Sequence, residues 1–327
     1  MNKRLFSCLF LSCAWLMALA ATPPAWAQTS VPAVLYAVTY WEQKLITIDT
    51  NTGQGTLITN LPISPRDLAG FRDALYVYGG AGQGVRLSQL DPLSGTILHE
   101  VTFTNKISGG EGAMDFRADG IAFVTTASGI TGTLARLEVA TTNAALVTAD
   151  GGLSPSLDGL AFDAEGTLFG LTQNRSGAFS LCQVDQLTGA TAVIGDLGIY
   201  FSSVGGTVGG LAFAPNGNLY AAVASSNESR LYLLNKGTGA ATLVGLVGIA
   251  GVSGIHFFAP PRESLKIQTT PEGLQIAWPH VGHGLLESAT NISGPWASVF
   301  LPVTTNGAVA MATAPRSQRQ EFFRLRH

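Results

Sequence analysis

Cysteine is nearly absent, with three in 327 residues, and Cys8 and Cys13 both fall in the first apolar run. Cys182 is therefore alone in the body of the chain, which excludes an internal disulfide there. A nucleophilic thiolate needs a neighbouring His or a positive microenvironment. The stretch Phe179-Ser180-Leu181-Cys182-Gln183-Val184 supplies neither and alternates like a strand, so Cys182 is expected to act as a small buried apolar side chain. Charge is also scarce, at 12% of residues, and no basic stripe is present, which argues against nucleic-acid binding by phosphate neutralisation. Histidine is thin: His99 and His256 stand far apart, and His280 and His283 sit near a turn of the tail, so zinc-ligand spacing is missing. There is no Gly-x-Ser-x-Gly elbow, and Gly79 to Gly84 opens no helix that would cradle a phosphate. After residue 27 no apolar run approaches the roughly 18 residues that a membrane helix needs.

The first 27 residues carry a different signature. Lys3 and Arg4 form a charged start, Leu5 to Ala21 an apolar stretch, and Ala25-Trp26-Ala27 an A-x-A cleavage site, which together describe a signal peptide. Both Cys8 and Cys13 lie too deep in that stretch for a lipoprotein cysteine. Export to the periplasm, cell surface or exterior is the expected destination. Without Lys3 and Arg4, 16 basic side chains of the 18 face 21 acidic ones, a net charge of about −5 with neutral histidines. Abundant Gly, Val, Leu, Thr and Ala with few charges favours all-β architecture with tight turns.

Internal repetition sets the architecture. Gly159-Leu160-Ala161-Phe162-Asp163-Ala164-Glu165-Gly166-Thr167-Leu168-Phe169-Gly170 matches Gly210-Leu211-Ala212-Phe213-Ala214-Pro215-Asn216-Gly217-Asn218-Leu219-Tyr220-Ala221, with weaker copies at 114–123 and 68–76. Each copy is a strand, a turn ending in a residue that tolerates positive φ, and a second strand. A second phrase, Asp or Asn followed by x-x-Thr/Ser-Gly, recurs at Asp49, Asp91, Asp185 and Asn235, with a degenerate copy at Val139. Four short strands per 42 to 50 residues is the arithmetic of a β-propeller. The first copy begins at Val34 without its opening strand, and a matching strand appears downstream at Gly254-Ile255-His256-Phe257-Phe258, so the C-terminal strand is expected to complete the first blade. The expected fold is all-β: a propeller over 28–260 with five blades, six being the alternative, and a small β-sandwich over 261–327.

The Gly-Leu-Ala-Phe-x-x-x-Gly-x-Leu-Tyr phrases and Asp-x-x-Thr-Gly turns resemble those of bacterial NHL-like and YncE-like propellers, over about 230 residues. The resemblance implies architecture and leaves function open, since such propellers host binding scaffolds, lactonases, lyases and cyclases. In the tail, strand-like runs at 264–270, 273–278, 284–287, 296–303 and 322–326 resemble a fibronectin type III-like module appended to exported proteins.

Ligands of propellers meet the channel mouth, lined by the starts of the innermost strands and the loops between second and third strands. Those positions hold Arg66, Asp67, Glu111, Asp158 and Ser253 on the strands, and Tyr40, Trp41, Glu42, Asn174, Arg175 and Asn227 on the loops. Asp67, Glu111 and Asp158 are oxygen donors of the kind that hold Ca²⁺, a possible cofactor, and such a set would resemble that of metal-dependent lactonase propellers. Solvated strand-end charges are the plain alternative. Tyr40 and Trp41 form an aromatic pair suited to stacking, or to packing on a neighbouring blade; Gly198 to Ser203 is a second rim. Two functions follow: a non-catalytic scaffold binding a small molecule, glycan or protein at the cell envelope, or a Ca²⁺-dependent hydrolase or lyase with Glu42 or His256 nearby.

Overall fold

The computed structural model describes residues 32–326 except 81–83, 104–111, 129–130, 150–151, 174–177, 201–206, 261–264, 280–284, 307–308 and 316–320. The signal-peptide segment thus lies outside the described residues. Every regular element among the described residues is a strand. No helix there is long and apolar enough to cross a membrane.

The repeats become antiparallel sheets in chain order. After β1 (Val34–Thr39), β2 (Lys44–Ile48) and β3 (Gly55–Asn60) come β4 (Pro65–Phe71), β5 (Ala74–Gly80), β6 (Val85–Leu90) and β7 (Ile97–Phe103). The third set is β8 (Met114–Phe116), β9 (Ile121–Ser128), β10 (Thr131–Glu138) and β11 (Asn143–Leu146). The fourth is β12 (Leu157–Phe162), β13 (Leu168–Gln173), β14 (Ala178–Val184) and β15 (Thr191–Tyr200), and the fifth β16 (Thr207–Phe213), β17 (Leu219–Ser225), β18 (Ser229–Leu234) and β19 (Ala241–Leu246). Strand β20 (Val252–Phe258) joins none of its sequence neighbours. It pairs with β1, Val34 opposite Phe258 and Ala37 opposite Ile255, giving the four-stranded order β20-β1-β2-β3. Repeated four-stranded antiparallel sheets of this kind make the body a β-propeller fold.

Local chemistry explains the turns. At Asp49, Asp91, Asp185 and Asn235 the side-chain oxygen accepts the amides two and three residues on, and the glycine at the fourth position adopts φ of +70° to +79°. That glycine is also where neighbouring sheets touch. A Cβ at Gly53 would lie 2.8 Å from the Gly245 backbone, and one at Gly239 2.6 Å from the Gly195 carbonyl oxygen. The turn at Val139 departs from the repeat: β10 and β11 are joined by four residues, and Thr142 takes the left-handed conformation at φ 56°.

The first strands of the sheets pack in sequence, β4 on β8, β8 on β12, β12 on β16 and β16 on β20, and β20 packs on β4. Glycine permits the approach. A Cβ at Gly159 would lie 3.0 Å from the Leu211 amide nitrogen, at Gly210 2.7 Å from that of Ile255, and at Gly254 2.8 Å from that of Leu68. Farther along, four of the five phrase-ending phenylalanines meet an aromatic on the second strand of the preceding sheet, while Phe71 stacks on Phe116. Phe116 meets Tyr76, Phe162 meets Phe123, Phe213 meets Phe169, and Phe257 meets Tyr220, with centroids 5.2–5.5 Å apart. Such pairs contribute about 0.5–1.5 kcal/mol beyond their area burial. The apolar clusters accordingly run between sheets; one unites Phe169, Leu171 and Phe179 with Leu211, Leu219 and Val223.

The tail forms two antiparallel sheets. One is β21 (Lys266–Thr270), β22 (Gly273–Pro279), β26 (Val309–Ala314) and β25 (Val303–Asn306); the other is β24 (Ala297–Ser298), β23 (Leu285–Ala289) and β27 (Phe322–Arg326). Ile276, Trp278, Ala310 and Ala312 from the first and Leu286 from the second share one apolar cluster. The sequence gives no warning of β26, because alanine is a poor strand former; its small side chains serve to seat Trp278 opposite Ala310.

Candidate functional site

The β1–β2 turn is built tightly. Gln43 at φ 53° donates its amide to the Thr39 carbonyl at 3.1 Å, and Lys44 donates its amide to Thr39 Oγ1 at 3.0 Å. Tyr40 donates its amide to the Gly251 carbonyl at 2.8 Å, which ties the turn to the segment leading into β20. On this frame the Tyr40 and Trp41 rings meet edge to face, 5.3 Å apart at 76°. The Arg66 guanidinium lies 4.3 Å above the centre of the Tyr40 ring. The benzo portion of Trp41 lies on Gly251, where a Cβ would come within 2.5 Å of Cε3; Gly251 has φ +73°. Trp41 stays 38% exposed, and its neighbour Glu42 forms an exposed ion pair with Lys44. The structure thus brings Tyr40, Trp41 and Arg66 into one stack.

Asp67 follows Arg66 in sequence but belongs to the interior. It was expected as a strand-end charge facing solvent or a metal, and it is 2% exposed. One carboxylate oxygen accepts the Leu68 amide at 2.7 Å, and the other accepts the Met114 amide of β8 at 2.7 Å. Asp115 repeats the device, accepting its own neighbour Phe116 at 2.8 Å and Phe162 of β12 at 2.7 Å. The reason is topological. Each first strand is the edge of its own sheet, its outward amides lack ladder partners, and a buried amide left unpaired is costly. Carboxylates from the preceding sheet satisfy them.

Asp115 also faces His256 of β20, with Nδ1 3.7 Å from Oδ1. The imidazole reaches past Gly70 of β4, where a Cβ would stand 2.9 Å from Nε2. Burial pushes the Asp115 carboxyl up to about 7 against the pull of its two amides. Burial pushes the His256 imidazole down to about 4. Asp67 is raised well above the usual carboxylate range, again by burial, with the charge of Asp115 adding to the rise.

Among the remaining expected residues, Asp158 is half-buried on β12, and a Cβ at Gly209 would come 3.9 Å from its own Cβ. Ser253 is buried, and its hydroxyl donates to the Val38 carbonyl at 3.5 Å within its own sheet. Asn227 is exposed in the β17–β18 turn. Glu111, Asn174, Arg175, His280, His283 and residues 201–203 of the second rim lie outside the described residues. Among the described residues no three His, Cys, Asp or Glu side chains converge as a metal set. Cys182 is fully buried, its thiol donates to the Gly170 carbonyl at 3.4 Å, and burial pushes it up to about 12. Sequence reasoning missed Asp115 and Gly251. Asp115 left a signal: aligned on the phrase-ending phenylalanine, the other copies have Gly70, Ala161, Ala212 and His256 at its place, so a carboxylate there departs from a small or neutral position.

No known protein family matches the sequence, and no curated protein does. Solved structures with similar chain paths include a nidogen/laminin complex, with a TM-score of 0.44, 13% identity, and coverage of 70% of this chain and 86% of that one. A putative 6-phosphogluconolactonase from Bacteroides fragilis gives 0.41 and 12% identity over 71% of this chain and 99% of that one. TolB from Acinetobacter baumannii gives 0.39 and 14% over 89% and 66%. Likeness at this level carries no argument about what the chain binds or converts.

Proposed function

We propose that this chain is an exported, non-catalytic binding scaffold of the cell envelope, whose ligand meets one end of a closed ring of five blades. In this reading residues 1–27 are removed on export, 28–260 form the ring, and 261–327 are a fibronectin type III-like module. Support for closure comes from the pairing of β20 with β1 and from the unbroken succession of first strands, β20 returning to β4. The ligand end is that of Tyr40, Trp41, Glu42 and Arg66, with Asp158 and Ser253 on the first strands and Glu111, Asn174 and Arg175 assigned to it from sequence. The observation that carries the reading is the use made of the side chains there: an exposed indole packs on Gly251 beside a tyrosine–arginine stack, which suits recognition. The calcium-assisted hydrolase reading asks Asp67 to coordinate an ion with oxygens that each already accept a backbone amide.

Thermal denaturation of the mature protein with and without calcium, in parent and Asp158→Ala forms, separates the two, together with a panel of lactones. The scaffold reading expects no calcium-dependent shift and no turnover. A stabilisation by calcium that Asp158→Ala abolishes, or hydrolysis of any lactone, replaces it with the enzyme.

A further inference from the structure

We infer that Trp41 is a carbohydrate-stacking platform and that the ligand of this end is a neutral saccharide; the inference rests on the binding reading above. Three observations lead to it. First, the indole is pre-organised. Its benzo ring packs against Gly251, whose missing Cβ leaves room for Cε3 and Cζ3, and Tyr40 meets it edge to face while Arg66 covers Tyr40. The supporting backbone is closed by the Gln43–Thr39 and Tyr40–Gly251 hydrogen bonds, so little ordering remains for a ligand to impose.

Second, the surroundings of the indole are polar. Glu42 and Lys44 pair on its own turn, and the Gly251 amide donates to the Ser225 carbonyl at 3.1 Å, which brings in the turn that carries Asn227 and the Glu228–Arg230 ion pair. A pyranose presents an apolar C–H face ringed by hydroxyls, and a flat aromatic bordered by donors and acceptors complements that shape. An aromatic or aliphatic ligand gains instead from an enclosed apolar wall, which an open turn does not provide. Third, the Glu42–Lys44 and Glu228–Arg230 charges come in opposite pairs, and residues 28–262 hold 17 acidic against 11 basic side chains, a balance that selects against polyanionic glycans.

The test is titration of the full mature chain with neutral hexasaccharides of glucose (β-1,4 and α-1,4), mannose and N-acetylglucosamine, followed by calorimetry and by tryptophan emission. Trp41 is the one tryptophan between residues 28 and 262, so the difference from a Trp41→Phe form isolates its signal. At least one saccharide is expected to bind and to alter Trp41 emission. Affinity is expected to fall about tenfold or more in Trp41→Ala and to stay within about threefold in Trp41→Phe, which keeps a stacking face. Thermal denaturation of both variants reports whether the fold persists. Saccharide binding that Trp41→Ala leaves intact overturns the inference, as does no binding by any of the four. If N-acetyltryptophanamide, run in parallel, binds through Trp41 while the sugars do not, the saccharide class falls and the binding scaffold stands. If neither binds and Trp41→Ala only lowers stability, the indole is a brace for residues 248–251 and the platform falls.

Discussion

Replacing Gly210 by alanine isolates the close approach of the first strands. Gly210 lies outside the left-handed region, so alanine meets no dihedral penalty, and in an ordinary strand it would stabilise by roughly 0.5–1 kcal/mol through the unfolded state. Here its Cβ would stand 2.7 Å from the Ile255 amide nitrogen and 2.9 Å from the Gly254 Cα, both main-chain atoms of β20. Ordinary carbon contacts need about 3.5–4.0 Å, so β16 and β20 must separate by nearly an ångström against the sheets packed on either side. Overpacking of that kind costs about 1–3 kcal/mol, and at roughly 2–4 °C per kcal/mol for a domain of this size the loss is readable by thermal or urea denaturation. Gly237→Ala is the control, because the nearest atom to its added Cβ is Asn235 Oδ1 at 3.5 Å and its backbone is unstrained. It is expected to stay within about 0.5 kcal/mol of the parent. A Gly210→Ala protein as stable as the parent, or more stable, refutes the argument that glycine is there to let two main chains touch.

Other outcomes follow from the buried ionisable groups and the sheet interfaces. Asp115, raised from 3.8 to about 7, contributes stability that is complete below pH 3.8 and lost as pH rises through 7. His256, lowered from 6.5 to about 4, contributes stability that is complete above pH 6.5 and lost as pH falls through 4. The two trends oppose one another, and Asp67, also raised, adds to the loss on the alkaline side, so in urea titrations between pH 4 and 7 His256→Gln should lose stability with rising pH more steeply than the parent and Asp115→Asn less steeply; slopes equal to the parent's in both variants would sink the assignment. Asp67→Leu strands the Leu68 and Met114 amides and should cost about 1–3 kcal/mol for each left unpaired, measured by the urea midpoint. Phe213→Ala removes the ring that meets Phe169; as Phe213 is half-buried, the cost should fall below the roughly 3–5 kcal/mol of a fully buried phenylalanine, with Phe213→Leu retaining much of the parent stability. Cys182, buried with its thiol pushed up to about 12, should react with Ellman's reagent only after unfolding; rapid native-state labelling contradicts that burial.

The strand-turn-strand phrases were legible because their turn chemistry is local: Asp185 caps the two amides ahead of it and Gly189 accepts a φ of +72° without help from other sheets. The pairing of residues near 255 with those near 35 was legible from the missing opening strand, since a repeat that begins with its second strand has to find the first elsewhere. The site was harder. Asp67 reads from sequence as a charge at a strand end, and only the approach of β8 reveals that its carboxylate answers an amide 47 residues away. Gly251 looks like any loop glycine until Trp41 lies on it. Val139 was aligned with the Asx turns by spacing alone, and the shorter connection there lacks the side chain that would have made the turn.

The hydroxyl of Ser253 meets the carbonyl of Val38 from 215 positions away, and the whole flank of β1 waits on the same late partner. During synthesis the first hairpin therefore exists with one bare side until residues 252–258 have emerged. Contacts of such span slow the search for the native state, and an unsatisfied strand border invites foreign strands in the interval. Keeping that border from foreign strands until residue 258 is available removes the hazard, so this connectivity makes the first hairpin depend on a single late assembly step.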